Sequence, residues 1–153
     1  MKPYILKFII LFLIFTRCFS FCAEKGEQEK ISFIQIGKGN LYGDGREGIP
    51  KQDIMIATQE EWENLKTAMN SSQSFNEIEI DFNKYLIIAV FDKIRDSGGC
   101  EIDISKITNF SDKIVVTVNT NCSMTAPTIM TQPYHIVKIL KTIKRIEFEH
   151  INN

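Results

Sequence analysis

Four cysteines and two histidines are the residues of this 153-residue chain best suited to covalent or metal chemistry. A thiol nucleophile needs an imidazole beside it, which would pair Cys100 or Cys122 with His135. Neither His135 nor His150 stands at metal-ligand spacing from another His or Cys, so no metal site is expected. The cysteines have a second reading. With the hairpin of residues 101–121 centred on Ser111, positions summing to 222 face each other. Ile104 then opposes Val118, Ile102 opposes Thr120 and Cys100 opposes Cys122, all on the apolar face. Directly opposed strand residues have Cβ atoms about 4.5–5.5 Å apart, close to disulfide geometry. A Cys100–Cys122 bond would stabilise by roughly 3 kcal/mol on the chain-entropy model. Two buried free thiols acting as small hydrophobes are the alternative. A one-residue register slip would put the cysteines on opposite faces.

Other motifs carry less. Gly37, Gly39 and Gly43 resemble a dinucleotide loop, but the third glycine is one place late and no helix follows. Asp44 and Glu47 supply two carboxylates where calcium takes six to eight oxygens. Asp81 and Asp96 flank an apolar run, but paired acid–base chemistry needs carboxylates brought together in a cleft, which a sequence does not display, and a surface turn acid is the better reading of Asp81. No catalytic residue, metal or cofactor is therefore expected.

Two segments suit protein recognition instead. Arg95–Gly99 sets Gly98 and Gly99 between two strands, giving a backbone that a partner can approach closely. Thr131–Tyr134 places a proline and an aromatic at a strand start. Ser97, Gly98, Gly99, Gln132, Pro133 and Tyr134 are accordingly the candidate partner-binding residues. The competing role of Tyr134 is core packing, in phase with Ile136 and Leu140.

The elements that must position these residues read as an α+β domain, predominantly β. It is expected to be a twisted, mostly antiparallel sheet of six or seven strands with one packed helix. Ile31–Ile36 reads as the first strand, Gly37–Pro50 as a glycine-rich loop and 54–56 as a short strand. Thr58 and Glu61 form a capping box, and Trp62, Leu65 and Met69 share one helical face, predicting a helix over 58–69. Tyr85–Phe91 is apolar throughout, the mark of a central strand covered on both faces. Strands over 134–140 and 143–151 complete the set, the latter with Ile146 and Phe148 inward.

The N-terminus is set apart. Lys2 and Lys7 precede the apolar run Phe8–Phe15, too short to span a bilayer, and small residues follow at Ser20 and Ala23. Residues 1–22 thus read as a signal peptide, 23–30 as a polar linker and 31–153 as one domain. Cys22 is a candidate for lipidation, with ordinary cleavage after Ser20 as the alternative. The expected location is the cell envelope or the exterior. Removing the signal leaves 15 basic residues against 19 acidic ones, a net charge of −4. That balance argues against a nucleic-acid partner. The membrane enters only through the candidate lipid anchor.

Glu60-Glu-Trp-Glu-Asn-Leu65, Ile80-Asp-Phe82 leading into Leu86–Phe91, Ser97-Gly-Gly99 and Thr131-Gln-Pro-Tyr-His-Ile-Val-Lys138 follow one another in an order that resembles the PrcB C-terminal domain. The resemblance covers roughly residues 52–150. It departs where Ser97 replaces a Thr and Cys100 a Tyr of the family's TGGY turn. It implies a bacterial envelope protein that associates with or stabilises a protease or another exported protein. The two loops are also similar to those that chagasin-type protease inhibitors present side by side. That makes direct protease inhibition through 97–99 and 132–134 the alternative function.

Overall fold

The computed structural model describes residues 28–42, 46–69, 75, 79–123 and 128–152. Eight strands and one helix occur among them: β1 (Glu29–Lys30), β2 (Ile34–Tyr42), β3 (Gln52–Ile56), α1 (Gln59–Ala68), β4 (Tyr85–Phe91), β5 (Cys100–Asn109), β6 (Lys113–Cys122), β7 (Thr131–Leu140) and β8 (Arg145–Asn152). No helix among these residues is long and apolar enough to cross a membrane.

The predominantly β, α+β class is as expected, but the strands divide into two sheets rather than one. The inner sheet has the order β2-β7-β4-β3 and the outer sheet β1-β5-β6-β8. The reason lies in β4 and β7. In β4, Ile87, Ala89 and Phe91 face one apolar cluster with Trp62, Leu65 and Met69 of the helical segment. Leu86, Ile88 and Val90 face a second cluster with Ile102, Ile104, Ile107, Val116 and Val118 of the outer sheet. A strand apolar on both faces needs a cover on each. The helix supplies one and the outer sheet the other, giving three layers.

The helix follows its sequence signals closely. Thr58 Oγ1 accepts from the Glu61 amide at 3.2 Å, and the Glu61 carboxylate accepts from the amides of Ala57 and Thr58 at 2.9 and 3.1 Å. Those hydrogen bonds hold the Glu61 carboxyl below the usual carboxylate range. Trp62 is buried and meets Phe75 edge-on at 5.2 Å.

The first part of the chain is where expectation and structure differ most. The predicted linker over 23–30 ends in β1, where Glu29 and Lys30 pair with Asn109 and Thr108. The predicted first strand begins three residues later, at Ile34, and runs on through the glycines to Tyr42. The register steps past Ile36, because Gln35 pairs Val137 while Gly37 pairs Ile136. This bulge turns Ile36 into the helix-side core and leaves Ile34 exposed. Gly39 lies directly opposite Tyr134, whose ring would sit 3.6 Å from a Cβ there, and the Phe75 ring would sit 3.1 Å from a Cβ at Gly37. These glycines make room for aromatic rings in a strand and are not loop punctuation.

The β5–β6 hairpin pairs Cys100 with Cys122, Ile102 with Thr120 and Ile104 with Val118, but Lys106 pairs with Thr117 and Asn109 with Ile114. Near the turn the paired numbers thus sum to 223, not 222. A bulge at Ser105 absorbs the difference, and Cys100 and Cys122 are bonded, with Cα atoms 4.0 Å apart. The last strand, β8, lies parallel to β6, with Ile146 and Phe148 packed on the inter-sheet cluster.

Candidate functional site

The clearest candidate surface lies at the end of the molecule where β2 and β4 finish and β5 and β7 begin. Thr131 is its centre. Tyr42 pairs with Thr131 from one side, and Arg95 bridges it from the other, with backbone hydrogen bonds of 2.7 and 2.9 Å. The Thr131 hydroxyl donates to the Ser97 carbonyl at 3.0 Å, the Gly99 amide to Ser97 Oγ at 3.3 Å and the Ser123 amide to the Gly99 carbonyl at 2.9 Å. The Arg95–Gly99 segment is therefore braced on β7 and on the end of β6.

An ion pair fixes the start of this segment. Asp92 is 1% exposed and accepts from Arg95 Nε at 2.8 Å and from its NH2 group at 2.5 Å, both on Oδ2. Lys51 Nζ stands 3.8 Å from Oδ1. Gln132 Nε2 donates to the carbonyls of Ile49 and Asp92 at 2.8 and 3.0 Å, tying three connections together. Around this frame Tyr42, Ile94, Ile129 and Met130 are exposed, by 66, 41, 57 and 56%.

The expected partner-binding residues separate here. Ser97, Gly98 and Gly99 are half-buried and reach the surface. Gln132, Pro133 and Tyr134 do not. They belong to β7, an interior strand of the inner sheet, and all three are buried. Gln132 is spent on two carbonyls, and Tyr134 stacks on Phe91 at 6.2 Å. The proline read as a strand start is the third residue of β7 and sits inside it, and the Asp92 carbonyl that a backbone amide there would have met accepts from Gln132 Nε2 instead. The Pro133 carbonyl still accepts from the Asp92 amide at 2.9 Å. Core packing, the competing role of Tyr134, is the one observed. The four exposed apolar residues were not singled out in the sequence, since isolated hydrophobic residues flanking strands look like core. Cys22 and Asp44 lie outside the described residues.

A second polar constellation sits between the sheets. His135, 2% exposed, accepts at Nδ1 from the Ile104 amide at 2.9 Å. Its proton is therefore on Nε2, which is buried and finds no hydrogen-bond partner among the described residues. Asp103 Oδ1 stands 3.3 Å from Nδ1 and receives Lys38 Nζ at 3.0 Å. Burial pushes the His135 pKa down to about 4, against the pull of the Asp103 charge. A neutral, enclosed imidazole already accepting a backbone amide is not placed to serve as a base. With both Cys100 and Cys122 in a disulfide, the thiol–imidazole pair weighed above is not assembled. Among the described residues no group of three potential ligands gathers around a point.

No family model, curated protein or solved structure matches the chain.

Proposed function

We propose that this chain is an exported, non-catalytic binding module that associates with or stabilises a protease or another envelope protein through the braced end around Thr131. The observation that carries the reading is the group of exposed apolar side chains, Tyr42, Ile94, Ile129 and Met130, on a frame held by a part-buried ion pair and backbone bridges. Apolar anchors on a rigid support lose little conformational freedom when a partner covers them. The resemblance to the PrcB C-terminal domain supports the class of partner. The direct-inhibitor alternative keeps only one of its two loops, because 132–134 is buried.

The test is affinity capture from the native envelope with the full chain and with Ile129→Glu and Met130→Glu variants. Loss of the captured protein, with an unchanged unfolding midpoint, is expected for both. Capture that survives both substitutions rejects this surface. Assaying the chain against a protease panel distinguishes inhibition from association.

A further inference from the structure

We infer that the domain pairs with a second copy of itself through the open edge of β3, in an antiparallel register centred on Ile54. β3 is a terminal strand of the inner sheet, and among the described residues only β4 pairs with it. The neighbouring ladder fixes which of its backbone groups face outward. The Asp92 amide donates to the Pro133 carbonyl and the Lys141 amide to the Lys84 carbonyl, so the even-numbered residues of β4 turn their amides and carbonyls to β7. Ile87, Ala89 and Phe91 turn theirs to β3, where they oppose Ile56, Ile54 and Gln52. Bonded and non-bonded pairs alternate along an antiparallel ladder. Asp53 and Met55 therefore each direct an N–H and a C=O away from the sheet. The next outward amide, that of Ala57, is held by the Glu61 carboxylate at 2.9 Å, which confines the available edge to these two residues.

Such an edge is a template for another strand, and this one fits its own copy. With a two-fold axis at Ile54, Asp53 of each copy meets Met55 of the other as a hydrogen-bonded pair, an isologous contact with two reciprocal sets of backbone hydrogen bonds. Ile54 meets Ile54 as the close pair between them, on the helix side. There a shallow groove lined by Ile54, Ile56, Asn64 and Leu65 runs between β3 and α1. The helix is set back from this edge: Trp62 meets Phe75, and Phe75 lies over Gly37 of β2, the strand at the opposite edge.

The charges on this side suit the match. Asp53 faces Met55 and not its own counterpart, and its carboxylate is engaged by His150 of β8 at 2.7 Å. Lys51, whose side chain is 55% exposed, falls opposite Ala57 of the other copy, where Glu61 and its neighbour Glu60 open α1. Each end of the paired segment thus sets a lysine against acidic residues. On β8, Glu147 and Glu149 alternate with the inward Ile146 and Phe148 and so point to the outer face, and Glu147 is held by Lys113 and Arg145. Gln52 pairs with Phe91 and Phe91 with Tyr134, so β3 starts near the Thr131 end. Antiparallel pairing puts the two Thr131 ends at opposite ends of the dimer, both open to a partner.

The experiment uses the full chain with serine in place of Cys18 and Cys22, the two cysteines outside the disulfide. Sedimentation equilibrium over a range of concentrations reports the oligomer, and mild oxidation of Ile54→Cys or Met55→Cys chains reports the register. A reversible monomer–dimer equilibrium is expected. The Ile54→Cys chain should cross-link at least about tenfold faster than the Met55→Cys chain, because directly opposed Cβ atoms are about 4.5–5.5 Å apart and diagonal ones about 7–8 Å. Random collision would favour position 55 instead, since Met55 is 49% exposed and Ile54 is partly buried.

Met55→Glu, which sets carboxylates against Asp53 on both sides of the axis, should weaken the dimer about tenfold, and Met55→Lys should tighten it. Met55→Pro removes an outward amide and no bond to β4, so it should abolish the dimer and leave a folded monomer. A chain that is monomeric at every concentration overturns the proposal and leaves the β3 edge to a strand of another protein. A dimer that survives Met55→Glu and Met55→Pro, or that Met55→Lys weakens as much as Met55→Glu, overturns the pairing and assigns association to another surface. Equal cross-linking at 54 and 55 overturns the register.

Discussion

His135 is the residue whose chemistry is most constrained by its surroundings. Above about pH 6.5 it is neutral in both the folded and unfolded chain, and its contribution to stability is fully present. As the pH falls from about 6.5 towards the folded value of about 4, the unfolded chain takes up a proton that the native imidazole refuses. Stability is lost through that window, on the order of 2–3 kcal/mol. Protonating Nδ1 would also set two donors, His135 and the Ile104 amide, against each other. Urea midpoints at neutral pH and near pH 4.5 should show this loss, and His135→Leu should flatten the difference while lowering stability at both. Equal slopes for the two proteins would reject it. Glu61, Asp81 and Glu147, whose carboxyls are lowered by hydrogen bonds, add acid sensitivity at lower pH in both proteins. Tyr134 makes a second residue-scale test. Its ring lies over Gly39 and stacks on Phe91, so Tyr134→Ala should cost about 3 kcal/mol as a core truncation. Partner capture by the molecules that remain folded should be unaffected.

The β5–β6 hairpin shows how an element can place two residues against its own turn. Read symmetrically about Ser111, the sequence puts Cys100 opposite Cys122; the actual turn sets a register one residue away, and the bulge at Ser105 restores the pairing. Two departures from the simple ladder cancel. Deleting Ser105 should leave an unbulged ladder with the cysteines still opposed, and no reactive thiol at either. Deleting Thr117 should place Cys100 opposite Ser123, and thiol titration should then find both sulfurs free. In the native hairpin, reduction or Cys100→Ser should lower stability by about 2–4 kcal/mol, measured by denaturant titration. The capping box of α1 is a smaller contribution of the same scale: Thr58→Ala should cost about 1 kcal/mol.

At the scale of the whole molecule, the two sheets are joined along both open sides by polar side-chain contacts. Lys38 of β2 reaches Asp103 of β5 at 3.0 Å and Glu101 at 3.6 Å. On the opposite side Asp53 of β3 meets His150 of β8 at 2.7 Å. Both pairs join edges that no hydrogen-bond ladder connects. Partly exposed pairs of this kind are worth little individually, so Asp53→Ala should lower stability by less than about 1 kcal/mol. A loss of several kcal/mol by denaturant titration would mean that β8 detaches with the pair. The end around Thr131 gathers the exposed apolar side chains Tyr42, Ile94, Ile129 and Met130.

The sequence by itself determined what depends on neighbours within a few residues. The helix was legible because capping and the spacing of Trp62, Leu65 and Met69 are local, and β4 because a short apolar run rich in Ile and Val, set between polar segments, suits a strand covered on both faces. The pairing of Cys100 with Cys122 was legible because the face alternates with period two, although the bulge that makes it true was not. What only the tertiary structure decided depends on contacts far apart in the chain. Gly37 and Gly39 look like loop residues until Phe75 and Tyr134 lie over them. Gln132–Tyr134 looks like a recognition step until β2 and β4 close on both sides of it. The division into two sheets was hidden because strands covered by a helix on one face and a sheet on the other carry the same apolar pattern as strands of a single covered sheet. Of the candidate surface, Ser97–Gly99 was legible from its glycines. Tyr42, Ile94, Ile129 and Met130 were not, since only the assembled fold shows that nothing within the described residues covers them.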